Sequence, residues 1–185
     1  MMPEKNKHII MFRRPSVWRV LQIFKQRGFK AGVLACCSLG AGKWSHAAVY
    51  ESQWHIWHQF WGIRRDKWLN IPRISSWQDY DIYMVPASNY SHAETIEWFK
   101  YNECMPYDYL YWLGCAIYRV CKLFNKQFTI ELNDRRKTHC FEAVHEALKS
   151  QGVEPDEPLP VYIYGDDLVR CYSLERVCSG TIGKK

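Results

Sequence analysis

The order of elements along the chain predicts an α+β fold with a mainly antiparallel sheet. A strand and a helix come first, short β-like runs joined by tight turns fill the middle, and helices with defined starts and stops come late. Taken in order, Lys7–Phe12 is a β-like run ended by Arg13-Arg14-Pro15. Ser16 then caps a helix that carries Val17, Val20, Leu21 and Phe24, with Gly28 as its stop. Val33–Ser38 reads as a buried strand. The loop Leu39–Lys43 leads to a second strand around His46–Glu51, and Trp54–Trp61 returns as its hairpin partner. Asp81–Val85 is a further strand stopped by Pro86. Ser91-His92-Ala93-Glu94 has the form of a capping box and starts a helix running to about Tyr101.

Tyr107–Phe124 is helical and apolar almost all round, which predicts a deeply packed helix or one against a ligand groove. Thr138–Gln151 is the clearest amphipathic helix. Cys140, Ala143, Val144, Ala147 and Leu148 fall on one face, Glu142, Glu146 and Lys149 lie off it, and Gly152 ends it. A proline-rich loop leads to a last β-like run at Val161–Tyr164.

With 185 residues and 48% apolar content, the chain is long enough to bury one sizeable core, so residues 1–185 are read as a single domain. Sixteen per cent aromatics excludes a disordered polar chain. The net charge of +6 permits an acidic partner without demanding one. None of the eight cysteines forms a CxxC, which excludes a zinc ribbon and a thioredoxin-type redox pair. The N-terminus lacks the apolar core of a signal peptide, and no uncharged run approaches the roughly 18 residues of a membrane span. The expectation is a cytoplasmic protein with reduced thiols.

The chemistry concentrates in two places. If the hairpin turn centres on Ser52, residues whose numbers sum to 104 pair, and His46 faces His58. Directly opposed side chains lie about 4.5–5.5 Å apart at Cβ, close enough for one imidazole to orient the other. A general base needs such an orienting partner. A turn centred between Ser52 and Gln53 would shift the pairing by one and leave His58 diagonal to His46. The second place is Cys140 at the start of the late helix, where unpaired N–H groups and the helix dipole favour a thiolate and supply donors for an oxyanion.

His46-Ala47-Ala48-Val49-Tyr50, a turn, His58 twelve residues after the first histidine, and Thr138-His139-Cys140-Phe141-Glu142-Ala143-Val144 far downstream together resemble the circularly permuted papain-like superfamily. This is the permuted branch of the NlpC-type amidases, to which lecithin:retinol acyltransferase is akin. The resemblance implies a permuted papain-like fold with a core at about residues 33–170, a nucleophile at Cys140, a base at His46 and a third polar residue at His58. It also draws in Tyr107-Asp108 and Asp166-Asp167-Leu168. Trp54 and His55 depart from the usual small turn residues, and His55 and Gln59 stay open as alternatives for the third role.

The resulting expectation is a cysteine-dependent hydrolase or acyltransferase that cleaves an amide, isopeptide or ester bond through a thioester and needs no cofactor. Its substrate is a peptide, a peptidoglycan-like peptide or a lipid acyl group. Trp44, Trp54, Trp57 and Tyr107 are candidate substrate-binding residues, as hydrophobic or ring-stacking walls, and Trp61 belongs to the same aromatic surplus. No metal site is expected, since His55-x-x-His58 lacks the second paired spacing of a tetrahedral site. The alternative is a non-catalytic binding module of the same fold. Its basic clusters, Arg13-Arg14, Arg64-Arg65-Asp66-Lys67 and Arg135-Arg136-Lys137, would meet a protein or nucleic acid, although no nucleic-acid motif is present.

Overall fold

The computed structural model describes residues 8–13, 43–52, 55–67, 79–126, 134 and 136–182, with most of residues 16–28. Six strands are described: β1 (His8–Arg13), β2 (Trp44–Ser52), β3 (His55–Gln59), β4 (Ile63–Lys67), β5 (Asp79–Met84) and β6 (Glu175–Thr181). They form one sheet in the order β4-β3-β2-β1-β5-β6, and every neighbouring pair is antiparallel. Four helices with described bounds accompany it: α1 (His92–Tyr101), α2 (Tyr109–Leu123), α3 (Cys140–Lys149) and α4 (Gly165–Cys171). The fold class is α+β, as the element order predicts.

The central strand β1 is almost wholly apolar because both faces of the sheet are covered there. Ile9 and Met11 point into a core shared with Ala47, Val49 and Trp57 and closed by Phe99 of α1, Phe141, Val144 and Leu148 of α3 and Leu168 of α4. Ile10 and Phe12 point the other way, onto Ala48, Ile56 and Ile182.

The capped helices follow their sequence signals. Ser91 Oγ accepts the Glu94 N–H, and α1 begins at His92. Helix α3 buries the expected face and begins at Cys140, two residues later than the pattern suggests, because Glu142 reaches back to accept the His139 N–H at 3.1 Å. Gly152 (φ 72°) lets the chain leave α3 in a left-handed turn.

Other expectations are corrected. Helix α2 is not deeply packed all round: Tyr111, Gly114 and Cys115 are buried, whereas Tyr109, Leu110 and Leu113 are exposed. Val161–Tyr164 joins no strand, because its backbone donors go to side chains. Tyr111 Oη accepts the Ile163 N–H at 2.6 Å, and Asp167 accepts the Tyr164 N–H at 2.9 Å. Near the N-terminus the described residues from Val17 to Gly28 are helical, as expected, and the Val20 N–H bonds to the Ser16 carbonyl; only the face differs, since Val20 and Ile23 are buried while Val17 and Leu21 face solvent. Strands β4 and β6 were hidden because both are polar sheet edges without apolar alternation, a composition that discourages pairing with other chains. Val33–Ser38 and Phe24 lie outside the described residues.

Asp108 ties the site loop together. Its buried carboxylate accepts the Tyr111 N–H (2.9 Å), capping α2, and the Asp134 N–H (2.8 Å), while its own N–H bonds to the Thr138 carbonyl (3.0 Å). The face of α2 beneath it is equally constrained, because a Cβ at Gly114 would lie 2.4 Å from the Tyr162 ring. Gly114→Ala is therefore expected to destabilise the protein by about 1–3 kcal/mol through overpacking, read as a lowered urea midpoint with an unchanged slope.

Candidate functional site

The hairpin register differs from the expected one by two residues. Ala48 pairs with His58, Val49 with Trp57 and Tyr50 with Ile56, before an irregularity near the turn. His58 is thus diagonal to His46 rather than opposite it. The even spacing keeps both rings on one face, and a diagonal pair of long side chains still meets. His46 Nε2 lies 3.0 Å from His58 Nδ1, with the rings edge to face.

The next strand adds a third member. His58 pairs with Arg64 across β3 and β4, which places Asp66 on its diagonal, and His58 Nε2 sits 2.8 Å from Asp66 Oδ2. Arg64 Nε donates to the same carboxylate oxygen at 2.6 Å. The sequence reading missed Asp66 by treating Arg64-Arg65-Asp66-Lys67 as a basic cluster; the alternation of Arg64 and Asp66 on one face was the available signal.

This chain of contacts assigns the tautomers. Asp66 accepts from His58 Nε2–H, so His58 Nδ1 accepts from His46 Nε2–H, and the His46 lone pair is left on Nδ1. Both nitrogens of His58 are committed, which leaves none for a metal. His55 pairs with Ser52 and Lys67 at the turn end of the hairpin. Gln59 directs its amide nitrogen to the Met105 and Pro106 carbonyls.

Cys140 is the first residue of α3 and is buried. The backbone N–H groups of Ala47, Phe141 and Cys140 itself bear on its sulfur, and His139 Nε2 lies 3.7 Å from it. Pairing of β2 with β3 reaches only to Ala48, and a strand amide points sideways in the plane of its sheet. The thiol therefore sits level with β2, one peptide from His46, instead of only over the helix-packed face. His139 is close enough to His46 for a charge on it to disfavour one on His46.

Burial dominates the electrostatics. It pushes the Cys140 thiol up to about 12, against the pull of the three N–H groups. It holds His46 well below the usual imidazole value, with the neighbouring His58 and His139 adding to the effect. His139 is held down to about 3 by burial. His58 is lowered by burial against the opposing pull of Asp66, and Asp66 is lowered chiefly by its hydrogen bond to His58. The resting site is a neutral thiol among neutral imidazoles, with one carboxylate at the far end. The helix start does not by itself produce a thiolate.

The tryptophans expected as pocket walls are packed differently. Trp44 is buried edge-on against Tyr83, and Trp57 is buried with its indole N–H donated to Glu51 at 3.1 Å. Neither presents a free ring face; both belong to the core. Trp54 lies outside the described residues. Tyr107 does stand at the site, edge-on to His139. From His58 the rings run on through Phe60 (stacked, 6.1 Å), the exposed Trp61 and the exposed Tyr109 to Tyr107.

The shifted histidines carry a sign for stability. Above pH 6.5 the imidazoles are neutral in both states. As the pH falls below that value the unfolded chain takes up protons that folded His46, His58 and His139 refuse, so stability declines. The urea midpoint is expected to fall steadily from pH 6.5 towards pH 5, and His46→Gln should reduce the proton uptake on unfolding by about one. A midpoint flat across that window would contradict the neutral site. No family model matches the chain, and no curated protein matches it.

Proposed function

We propose that the protein is a cysteine-dependent hydrolase or acyltransferase of the permuted papain-like kind, acting on an amide, isopeptide or ester carbonyl from a reducing, cytoplasmic compartment. Support comes above all from the hydrogen-bonded series His46–His58–Asp66, which leaves a base on His46 Nδ1 next to the segment that holds Cys140. A buried histidine whose only task was packing would not need a second histidine and a carboxylate arrayed behind it.

In this reading His46 Nδ1 takes the thiol proton as Cys140 Sγ attacks the carbonyl carbon, because neither group is charged at rest. His58 and Asp66 stabilise the imidazolium that forms. The N–H groups of Cys140 and Phe141 at the start of α3, which bear on the resting sulfur, would donate to the oxyanion. Collapse expels the leaving group, protonated by His46, and leaves a thioester. Water or an acceptor alcohol or amine, deprotonated by the same imidazole, then releases the acyl group. The exposed rings of Trp61 and Tyr109 beside Tyr107 suit an apolar or ring-bearing portion of the substrate, a peptide, a peptidoglycan-like peptide or a lipid acyl chain.

Incubation with p-nitrophenyl butyrate is expected to place one butyryl group on Cys140, located by peptide mass mapping, and to release p-nitrophenol. Cys140→Ser should abolish the adduct, and His46→Gln should slow acylation by about 10²–10⁴-fold. The acid limb of kcat/KM should lie below pH 6.5, because burial lowers His46. Adducts on the exposed Cys104 with Cys140 unmodified would overturn the reading in favour of a binding module.

A further inference from the structure

Two buried side-chain atoms have no hydrogen-bond partner among the described residues: Gln59 Oε1 and His139 Nδ1. Buried polar atoms are nearly always satisfied, so two exceptions on segments linked through the Pro106 carbonyl call for a partner from outside the chain.

The orientation of Gln59 is settled by its surroundings. The side chain is wholly buried, and Nε2 donates to the Met105 carbonyl (3.0 Å) and the Pro106 carbonyl (3.2 Å). Flipping the amide would set oxygen against both carbonyls, so Oε1 is fixed as an acceptor. The Pro106 carbonyl also takes the Thr138 N–H, one residue before His139. On the other side, Gln59 follows His58, whose partner Ala48 adjoins the Ala47 amide that bears on Cys140 Sγ. Both segments that hold Cys140 therefore flank Gln59.

The His139 ring is wedged among Tyr107, Tyr111 and Phe141, with centroids 5.3–5.6 Å away, and its Nε2 faces the thiol. Burial keeps the ring neutral. In the resting site Nε2 accepts the thiol hydrogen, so the ring proton resides on Nδ1, and it stays there, an unpaired donor, when the thiol turns its proton to His46 on attack. The corner thus offers one donor and one acceptor.

We propose that Gln59 Oε1 and His139 Nδ1 are the two halves of an amide-recognition site beside Cys140, Gln59 accepting the N–H and His139 donating to the carbonyl oxygen of a secondary amide. This rests on the reading of Cys140 as nucleophile and names its substrate class. An ester presents acceptors only and leaves Gln59 Oε1 unpaired, the situation in which a polar site rejects an analogue lacking the matching group.

The test compares butyryl p-nitroanilide with p-nitrophenyl butyrate, which differ in N–H against O. Gln59→Met should lower kcat/KM for the anilide at least about tenfold while changing the ester less than about threefold. His139→Phe, which keeps the ring packing, should slow both, since both have the carbonyl. If Gln59→Met slows both substrates equally or neither, Gln59 binds an internal water and the proposal is overturned while Cys140 acylation stands. Wild-type protein that cleaves the ester but not the anilide overturns it as well. If neither substrate acylates Cys140, the nucleophile reading falls and takes this proposal with it. Should Gln59→Met fail to fold, wild-type protein is assayed on the N-methylated anilide: at least about a tenfold loss supports the proposal and equal turnover overturns it.

Discussion

The hydrogen bond between His46 Nε2 and His58 Nδ1 depends on the register of a single hairpin, and the rest of the site depends on that bond. A one-residue slip would send His58 to the other face of the sheet, where Trp57 now packs among the core residues. The actual register puts His58 between two diagonal neighbours, His46 on β2 and Asp66 on β4, so that three strands each supply one member of a proton-orienting series. Phe60 stacked on His58 and Phe12 beside His46 keep the rings in place and exclude water from them. Because β3 parts from β2 just beyond this pair, the start of α3 can reach the side of β2 at Ala47. The same geometry thus orients the base and admits the thiol.

Burial sets the chemical character of the site. A helix start and a histidine would normally favour a thiolate, yet here desolvation outweighs both and the thiol is pushed up to about 12. In the proposed reaction such a neutral pair would stay inert until a carbonyl arrives, and the charges that form with the bond would fall to the N–H groups of α3 and to the Asp66 carboxylate behind His58. The cost falls on acid stability, because several histidines are kept from protons that the unfolded chain would bind.

Much of this was legible in the sequence where chemistry and periodicity coincide. The capping signal at Ser91, the buried face of α3, the cysteine at its start and the shared face of His46 and His58 all follow from residue type and spacing. What was not legible depended on partners distant in sequence. The register was set by an irregularity between Tyr50 and Ser52 that residue types do not announce. Asp66 lay within a run dominated by positive charge on an edge strand. Gln59 gained its significance only when Met105 and Pro106, far along the chain, came to meet its amide. Tryptophan was overread for a simple reason: a large ring near a site is at least as useful in the core, and Trp44 and Trp57 are both there.

The backbone at the mouth of the aromatic run points the same way as the site. Trp61 adopts φ 73°, a left-handed conformation uncommon for a bulky residue and worth about 1–3 kcal/mol of strain. It does so in a tight turn between β3 and β4 in which the Phe60 N–H bonds to the Gly62 carbonyl, while Gly62 bridges to Pro106 and the Ile63 N–H bonds to Met105. That turn and the Met105–Pro106 segment therefore form one unit, and the same two carbonyls, of Met105 and Pro106, anchor the Gln59 amide. The strained turn leaves the Trp61 ring exposed against Tyr109, at the outer end of rings that lead inward through Tyr107 to His139 and Cys140. An exposed aromatic supported by a strained turn is thus joined through shared carbonyls to a buried unpaired acceptor, and in the proposed function the first would hold an apolar group while the second reads a polar bond.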